Sequence, residues 1–215
     1  MVMRAIAGLL IGATLVNVTS NQAAANEGSA PPTATTSYFP ADAARGKTLA
    51  AGCITCHGIA DMKLGNPPLR VPLLRGQRPE VIFAALRDYE SGARANDIMA
   101  PMAAGLSLQD MRDLGAYLSS GGPILPGTHD EGSWAHQKVQ RDCSACHGEN
   151  GMSSMPGVPV LTGQHEDYLV YALNAYGSGA RQDPTMGPIA ARLKPDEVAQ
   201  LAAYFAKQKH LELSK

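Results

Sequence analysis

Apolar residues recur at helical spacing in two matched pairs of segments. In the first pair, 80–89 and 166–176, apolar and aromatic side chains lie three or four residues apart, as on one face of an amphipathic helix. The second pair begins at Ser107, a suitable helix N-cap, and at Pro195, which suits a first helical turn. A short alanine-rich helix is predicted over 41–51. Because we find no convincing strand-like alternation, we expect an all-α fold.

The chain contains two copies of one unit. YESGAR at 89–94 returns 87 residues later as YGSGAR at 176–181, and PLLRGQ at 72–77 returns as PVLTGQ at 159–164. Upstream of these segments the first copy has three extra residues, in a loop with glycine and proline where a length change is tolerated. The predicted divisions are an N-terminal domain, a turn-rich linker and a C-terminal domain, at 41–119, 120–128 and 129–210.

The N-terminus is typical of an export signal. Arg4 supplies a positive charge, 5–16 is apolar, and the alanines at 23–25 offer a small-residue cleavage site. The apolar run is shorter than the ~20 residues that a membrane-spanning helix needs, which favours cleavage over a retained anchor. We predict a signal peptide at 1–25, a tether rich in proline, alanine and threonine at 26–40, and a periplasmic location.

Composition limits the function classes. Hydrophobic residues make up 45% of the chain, but aromatic residues only 5% and charged residues 17%, so side chains supply few large core fillers. A bound group is one way to complete such a core. The formal net charge is −1 and no basic run is present, which argues against a nucleic-acid partner.

Each copy carries one CxxCH motif, the haem c attachment pattern. The motif residues are Cys53, Cys56 and His57 in the first copy, and Cys143, Cys146 and His147 in the second. Two intervening residues place both thiols on one side of a helical turn, where they can add to the two vinyl groups of one porphyrin. The histidine then lies under the iron. All four cysteines of the chain are used in this way, so we predict two covalently bound haems c.

Two other uses of paired cysteines fit the sequence less well. A zinc site built from both CxxC pairs would need four thiolates to converge, and it would leave the two adjacent histidines unexplained. A redox dithiol of the thioredoxin type expects a βαβ context, which the helical pattern lacks. Haem attachment accounts for the cysteines, the histidines and the repeat together.

The sixth iron ligand is predicted from the repeat. Met99 and Met186 occupy equivalent positions downstream of the two CxxCH motifs. Met102 is the rival in the first copy, but its counterpart is Ile189, which cannot ligate iron. Because a repeated function needs a repeated ligand, we assign Met99 and Met186. Histidine and methionine together fill both axial positions and raise the reduction potential relative to two histidines, so such an iron passes electrons rather than binding substrate.

Two further pairs of repeated residues are assigned to the haem sites. Pro72 and Pro159 precede the LxG segments and can present backbone carbonyls to the ring N–H of the proximal histidines. A loop-shaping role for each proline is the alternative. Arg94 and Arg181 can pair with haem propionates, and a solvated surface arginine is the alternative there.

The order of these motifs resembles the dihaem cytochrome c4 family. In each copy a CxxCH is followed by PxLxGQ or its close variant, a YxSGxR segment, a methionine and a helix that carries a tyrosine, and the likeness covers about 41–205. The resemblance implies two tandem class I cytochrome c domains related by a pseudo-twofold axis, with one haem c each and close enough to exchange electrons. The tether at 26–40 is longer than expected for the family, which leaves a docking or anchoring role open.

The resemblance also implies a function. We expect a monomeric, non-enzymatic electron carrier of the respiratory chain, between the bc1 complex or a dehydrogenase and a terminal oxidase, with peripheral membrane association left open. One alternative is the cytochrome subunit of a dehydrogenase, such as a flavoprotein that oxidises sulfide or an alcohol dehydrogenase. Another is a haem enzyme, such as a peroxidase or a thiosulfate-oxidising cytochrome. An enzyme needs an exchangeable axial site, and methionine at both sixth positions argues against one.

Overall fold

The computed structural model describes residues 40–59, 61–120 and 131–208, which belong to one compact unit. Helices make up most of this part of the chain, so the all-α expectation is confirmed. The predicted signal peptide, nearly all of the predicted tether and most of the linker at 120–128 lie outside the described residues. Within the described ranges, no helix is long and apolar enough to cross a membrane.

The order of the elements follows the sequence repeat. The N-terminal domain contains α1 (Ala43–Leu49), α2 (Ala51–His57), β1 (Lys63–Leu64), β2 (Leu69–Arg70), α3 (Pro79–Ser91), α4 (Met99–Ala104) and α5 (Leu108–Ser119). The C-terminal domain contains α6 (Trp134–Asp142), α7 (Ser144–His147), α8 (Glu166–Ser178), α9 (Met186–Ala190) and α10 (Pro195–Ala206). The pairs α3 and α8, α4 and α9, and α5 and α10 are equivalent.

The longer helices lie where the hydrophobic pattern predicts them. α3 and α8 extend slightly past their predicted ends and stop at Gly92 and Gly179, whose φ angles of 79° and 80° are left-handed. Glycine adopts this conformation without steric cost, which explains the SG pair in both repeated segments. α5 begins after Ser107, which forms a capping box with Asp110, and α10 has Pro195 in its first turn.

The beginning of the N-terminal domain differs from the prediction. One helix was expected over 41–51, but α1 ends at Leu49 and α2 begins at Ala51. Asp42 is the N-cap of α1, because its carboxylate accepts hydrogen bonds from the N–H groups of Ala44 and Arg45. The first CxxCH motif is therefore itself helical, on a helix separate from α1.

A short sheet was also not expected. β1 and β2 pair antiparallel, with Lys63 opposite Arg70 and Leu64 opposite Leu69, in the loop that makes the first copy longer. Strands of two residues are too short to show an alternating pattern. From β2, the backbone N–H of Arg70 donates to Oδ2 of Asp167 at 3.1 Å, so the extra loop contacts the C-terminal domain.

Each domain has its own apolar core. α1 and α3 pack on α5 in the N-terminal domain, and α6 and α8 pack on α10 in the C-terminal domain. The buried residues of the two clusters are Ala50, Ile82, Leu86, Ala103, Met111, Leu114 and Leu118, and Ala135, Val139, Leu169, Leu201, Ala202, Tyr204 and Phe205. α2 and α7, which carry the CxxCH motifs, contact α1 and α6 respectively, so the cores position both motifs.

α1 crosses α5 at a glycine. A Cβ atom on Gly46 would lie 2.0 Å from the backbone oxygen of Asp113, so only glycine permits this approach. The side chain of Asp113 is 1% exposed and accepts hydrogen bonds from the N–H of Asp42 at 2.8 Å, from Arg45 and from Gln109. This buried carboxylate joins the start of α1 to the middle of α5.

The two domains meet through backbone contacts that repeat the pseudo-twofold relation. An isolated antiparallel bridge joins Arg94 and Arg181. In it the N–H of Gln182 donates to the carbonyl of Ala93 at 3.0 Å. In the opposite direction, the N–H of Ala95 donates to the carbonyl of Ala180 at 3.5 Å. The repeated YxSGxR segments therefore lie side by side at the domain interface.

Candidate haem sites

The CxxCH motifs lie on two short helices. Cys53, Cys56 and His57 belong to α2, Cys146 and His147 belong to α7, and Cys143 is the N-cap residue of α7. Residues three apart on a helical turn share one face, so the spacing of each motif suits two thiols that face one porphyrin. All four cysteines are free thiols, and burial raises the pKa of Cys53 and Cys143. Both thiol pairs are available for attachment to one porphyrin each.

The two motif histidines are oriented by proline carbonyls. Nδ1 of His57 lies 2.8 Å from the carbonyl oxygen of Pro72, and Nδ1 of His147 lies 3.1 Å from that of Pro159. When Nδ1–H donates to a carbonyl, the other ring nitrogen, Nε2, keeps its lone pair for a metal. The prolines therefore do more than shape a loop, although their effect on a haem stays a prediction.

Burial favours the neutral form of both histidines. It lowers the pKa of His57 and of His147, and the hydrogen bond to the proline carbonyl offsets this only in part. Neutral imidazole is the form that ligates a metal. Each site thus holds one histidine whose orientation and lowered pKa both favour ligation of a metal.

The two candidate axial methionines begin equivalent helices. Met99 is the first residue of α4 and Met186 is the first residue of α9. The N–H of Met99 donates to Oδ1 of Asn96 at 2.8 Å, and the N–H of Met186 donates to Oδ1 of Asp183 at 2.7 Å. Both methionines are half-buried. The ligation of iron by their sulfur atoms stays a prediction.

Asn96 and Asp183 are positioning residues that sequence reasoning missed. A signal was present, because both precede the methionine by three residues and both are side chains that accept hydrogen bonds at helix N-termini. Met102, the rival ligand in the first copy, is 49% exposed on α4, whereas Met99 packs against the N-terminal core. This difference favours Met99.

Arg94 and Arg181 both reach into the interior of the protein. Arg181 is 5% exposed and Arg94 is half-buried, so the solvated alternative is wrong for Arg181. The guanidinium carbon of Arg94 lies 4.9 Å from the ring centre of Tyr89, and that of Arg181 lies 4.8 Å from the ring centre of Tyr176. The Nε atom of each arginine is buried and has no hydrogen-bond partner among the described residues. A buried donor without a partner is costly, and a haem propionate is an anion that would satisfy it.

These residues fit one haem in each domain. Each domain provides two thiols on one helical face, a histidine with Nε2 free, a methionine at a helix start and a buried arginine donor. A shared zinc site does not fit, because no three His, Cys, Asp or Glu side chains in the described part of the chain are grouped closely enough to hold a metal ion.

Comparison with known proteins also indicates haem c as the bound cofactor. The family model described as cytochrome c matches residues 43–122 and 135–209. A thiosulfate dehydrogenase electron acceptor from Stutzerimonas stutzeri (strain A1501) is 37% identical over 172 residues, which cover 73% of this chain and 79% of that protein. Cytochrome c4 from Pseudomonas aeruginosa is 32% identical over 178 residues, which cover 76% of this chain and 87% of that protein.

The fold is similar to that of a solved cytochrome. The crystal structure of reduced recombinant cytochrome c4 from Pseudomonas stutzeri superposes with a TM-score of 0.66 at 26% sequence identity, covering 79% of this chain and 100% of that chain. The aligned region covers 79% of this chain and is longer than either of its domains, so the similarity includes residues of both.

Proposed function

Because the chain belongs to the dihaem cytochrome c4 family and binds two haems c covalently, we propose that it is a periplasmic electron carrier of the respiratory chain. It takes electrons from the bc1 complex or from a dehydrogenase and delivers them to a terminal oxidase. Haem iron supplies the one-electron redox chemistry when it is bound. The residues of the chain hold the haem, tune its potential and limit access to it.

The observation that supports this proposal most strongly is that the same candidate iron ligands occupy equivalent positions in both domains. His57 and His147 each keep Nε2 free while Nδ1 is engaged by a proline carbonyl, and Met99 and Met186 begin equivalent helices. If the histidine and the methionine of each domain both held the iron, no ligand position would remain for a substrate. The protein therefore has no substrate turnover of its own in this proposal.

The same residues set the potential in opposite directions. A hydrogen bond from the histidine ring to a carbonyl raises the basicity of the ring, which stabilises the oxidised iron and lowers the potential. Methionine ligation raises the potential. The guanidinium groups of the half-buried Arg94 and the buried Arg181 would add positive charge that favours the reduced form.

Carbon monoxide binding separates a carrier from a haem enzyme. The reduced protein with both haems is mixed with carbon monoxide and followed by stopped-flow absorbance. We expect carbon monoxide to bind only slowly, at a rate limited by dissociation of the methionine. In a separate assay, we expect the protein to consume no peroxide. Rapid binding at either haem would contradict the carrier function and favour an enzyme.

A second candidate function is suggested by the name of one relative. The Stutzerimonas stutzeri protein, 37% identical over 73% of this chain, is a thiosulfate dehydrogenase electron acceptor. On this basis the donor of our protein is a thiosulfate dehydrogenase, and the chain acts as its redox partner. Purified thiosulfate dehydrogenase with thiosulfate should then reduce both haems faster than the bc1 complex with quinol does. Reduction by bc1 alone would exclude this donor.

Export is part of the proposal and has its own test. If residues 1–25 are a cleaved signal, the protein isolated from the periplasmic fraction should begin near Asn26. Intact-mass measurement with the mass of two haems added gives the cleavage site. An intact N-terminus in the membrane fraction would contradict cleavage.

A further inference from the structure

Two equivalent glutamines join the domains by the same pair of hydrogen bonds. Oε1 of Gln164 accepts from the N–H of Leu73 at 3.0 Å, and Nε2 of Gln164 donates to the carbonyl of Leu73 at 2.9 Å. In the opposite direction, Oε1 of Gln77 accepts from the N–H of Val160 at 2.9 Å, and its Nε2 donates to the carbonyl of Val160 at 3.0 Å. Each glutamine side chain therefore binds the backbone of the other domain.

The peptide group bound by Gln164 is the one that holds a proximal histidine. The N–H of Leu73 and the carbonyl of Pro72 belong to a single peptide unit. Gln164 accepts from the N–H end of this unit, and His57 donates from Nδ1 to its carbonyl end at 2.8 Å. One peptide thus links a side chain of the C-terminal domain to the histidine of the N-terminal domain.

Gln77 makes the equivalent connection in the other direction. It accepts from the N–H of Val160, and the carbonyl of the same peptide unit, that of Pro159, lies 3.1 Å from Nδ1 of His147. Hydrogen bonds at the two ends of one amide polarise each other. A stronger bond at the N–H end therefore makes the carbonyl a stronger acceptor for the histidine.

The orientation of each glutamine amide is defined by its contacts. Oε1 of Gln77 also accepts from the N–H of Arg78 at 3.0 Å, and Oε1 of Gln164 also accepts from the N–H of His165 at 3.0 Å. An oxygen that faces two N–H donors cannot be exchanged with an NH2 group. The cavity between the glutamines is about 10 Å³, no larger than one water requires, so the segments are closely packed.

We propose that Gln164 and Gln77 are positioning residues that act across the domain interface, each on the proximal histidine of the other domain through one shared peptide group. The inference rests on the proposed function only in taking His57 and His147 as iron ligands. Loss of the glutamine amide weakens the carbonyl as an acceptor, and the histidine becomes a weaker donor ligand to iron. The reduction potential of the haem in the opposite domain then rises.

The test compares Gln164→Met with Gln77→Met in the protein that carries both haems. Methionine keeps a similar volume and removes all of the side chain's hydrogen bonds. The midpoint of each haem is measured by redox titration followed by nuclear magnetic resonance of the axial methionine methyl signals. Met99→Ala and Met186→Ala assign these signals to domains. Amide exchange of Leu73 and Val160 gives a second measurement that does not depend on the haems.

The expected result is a crossed pattern. Gln164→Met changes the redox equilibrium constant of the N-terminal haem about threefold in favour of the reduced form, which raises its potential by roughly 28 mV at ~59 mV per factor of ten. The potential of the C-terminal haem changes by less than about a third of that amount. The same variant also speeds exchange of the Leu73 amide by about tenfold. Gln77→Met does the same to the C-terminal haem and to the Val160 amide.

Asp167→Asn is the control for general loosening of the interface. It weakens the contact between Arg70 and Asp167, which joins the domains without touching either proline peptide, and it should not shift one haem selectively. The proposal is overturned if a glutamine variant shifts the haem of its own domain, shifts both haems equally, or shifts neither while amide exchange accelerates. It is also overturned if Asp167→Asn reproduces the crossed pattern. A protein without two haems would instead contradict the proposed function.

Discussion

Replacement of Gly46 by alanine should destabilise the N-terminal domain by about 3 kcal/mol or more. The added Cβ would lie 2.0 Å from the backbone oxygen of Asp113, 2.6 Å from its carbonyl carbon and 3.0 Å from Cβ of Tyr117, where ordinary contact is 3.4–4 Å. Overpacking a core costs ~1–3 kcal/mol when side chains can yield. Here the obstacle is backbone, so α1 and α5 must separate by more than an ångström and the cost reaches the top of that range.

Separation of α1 from α5 would also weaken the hydrogen bonds that the side chain of Asp113 accepts. The N–H of Asp42 and the side chain of Arg45 donate to this buried carboxylate, and a buried acceptor that loses its donors is costly. For a domain of this size, each kcal/mol lowers the melting temperature by about 4–8 °C. A loss of about 3 kcal/mol therefore predicts a fall of about 12–24 °C.

The assay is thermal unfolding of the protein with both haems, followed by circular dichroism and by the weak red absorption band of the bond between methionine sulfur and ferric iron. Gly105→Ala is the matched control, because nothing lies within 4 Å of a Cβ at Gly105 and a surface change of this kind stays within about 0.5 kcal/mol. The C-terminal domain should unfold as in the wild type. A Gly46→Ala protein within about 1 kcal/mol of the wild type would refute the reasoning.

Three further predictions follow from the contacts described above. Burial alone would raise the pKa of Asp113, but hydrogen bonds from Asp42, Arg45 and Gln109 lower it overall. Its contribution to stability is therefore complete above its unfolded pKa of ~3.9 and is lost as the pH falls through the lower folded pKa. Urea unfolding at a series of pH values should show that the free energy of unfolding falls less steeply at acidic pH in Asp113→Asn than in the wild type. Arg181→Leu should lower the potential of at least one haem, because it removes a buried positive charge, and a voltammogram identical to that of the wild type would show that this guanidinium does not face a propionate. Dialysis against a chelator should remove no iron, since the porphyrin holds the iron and is itself covalently attached to the chain. Replacing both cysteines of one motif by serine should leave one haem per chain by pyridine haemochromogen assay.

Much of the site could be predicted because its chemistry is contained in short contiguous motifs. A CxxCH motif places two thiols and a histidine at fixed spacing. The repeat then favours Met99 over Met102, because the counterpart of Met102 in the second copy is Ile189, which cannot ligate iron. Helix ends were predictable where a side chain forms the cap itself, as at Ser107. In each case the signal and its structural consequence lie within a few residues of each other.

Features that depend on contacts distant in sequence were not predictable. Gln77 and Gln164 stand out as a repeated pair, but a repeat does not reveal that each one binds the opposite domain. Gly46 weakens a helix by propensity, and only the crossing with α5 explains its place in α1. The split of α1 from α2 was not predictable either, since Ala50, which lies between them, favours a continuous helix.

The central claim is that each domain holds one haem iron closed by a histidine and a methionine. The measurement that tests it most directly is haem quantitation together with the red methionine-to-iron band of the oxidised protein, in the wild type, Met99→Ala and Met186→Ala. We predict two haems per chain in all three proteins and a loss of about half of the band in each variant. A variant that kept the full band, or a wild-type haem that bound carbon monoxide rapidly, would contradict the claim for that domain.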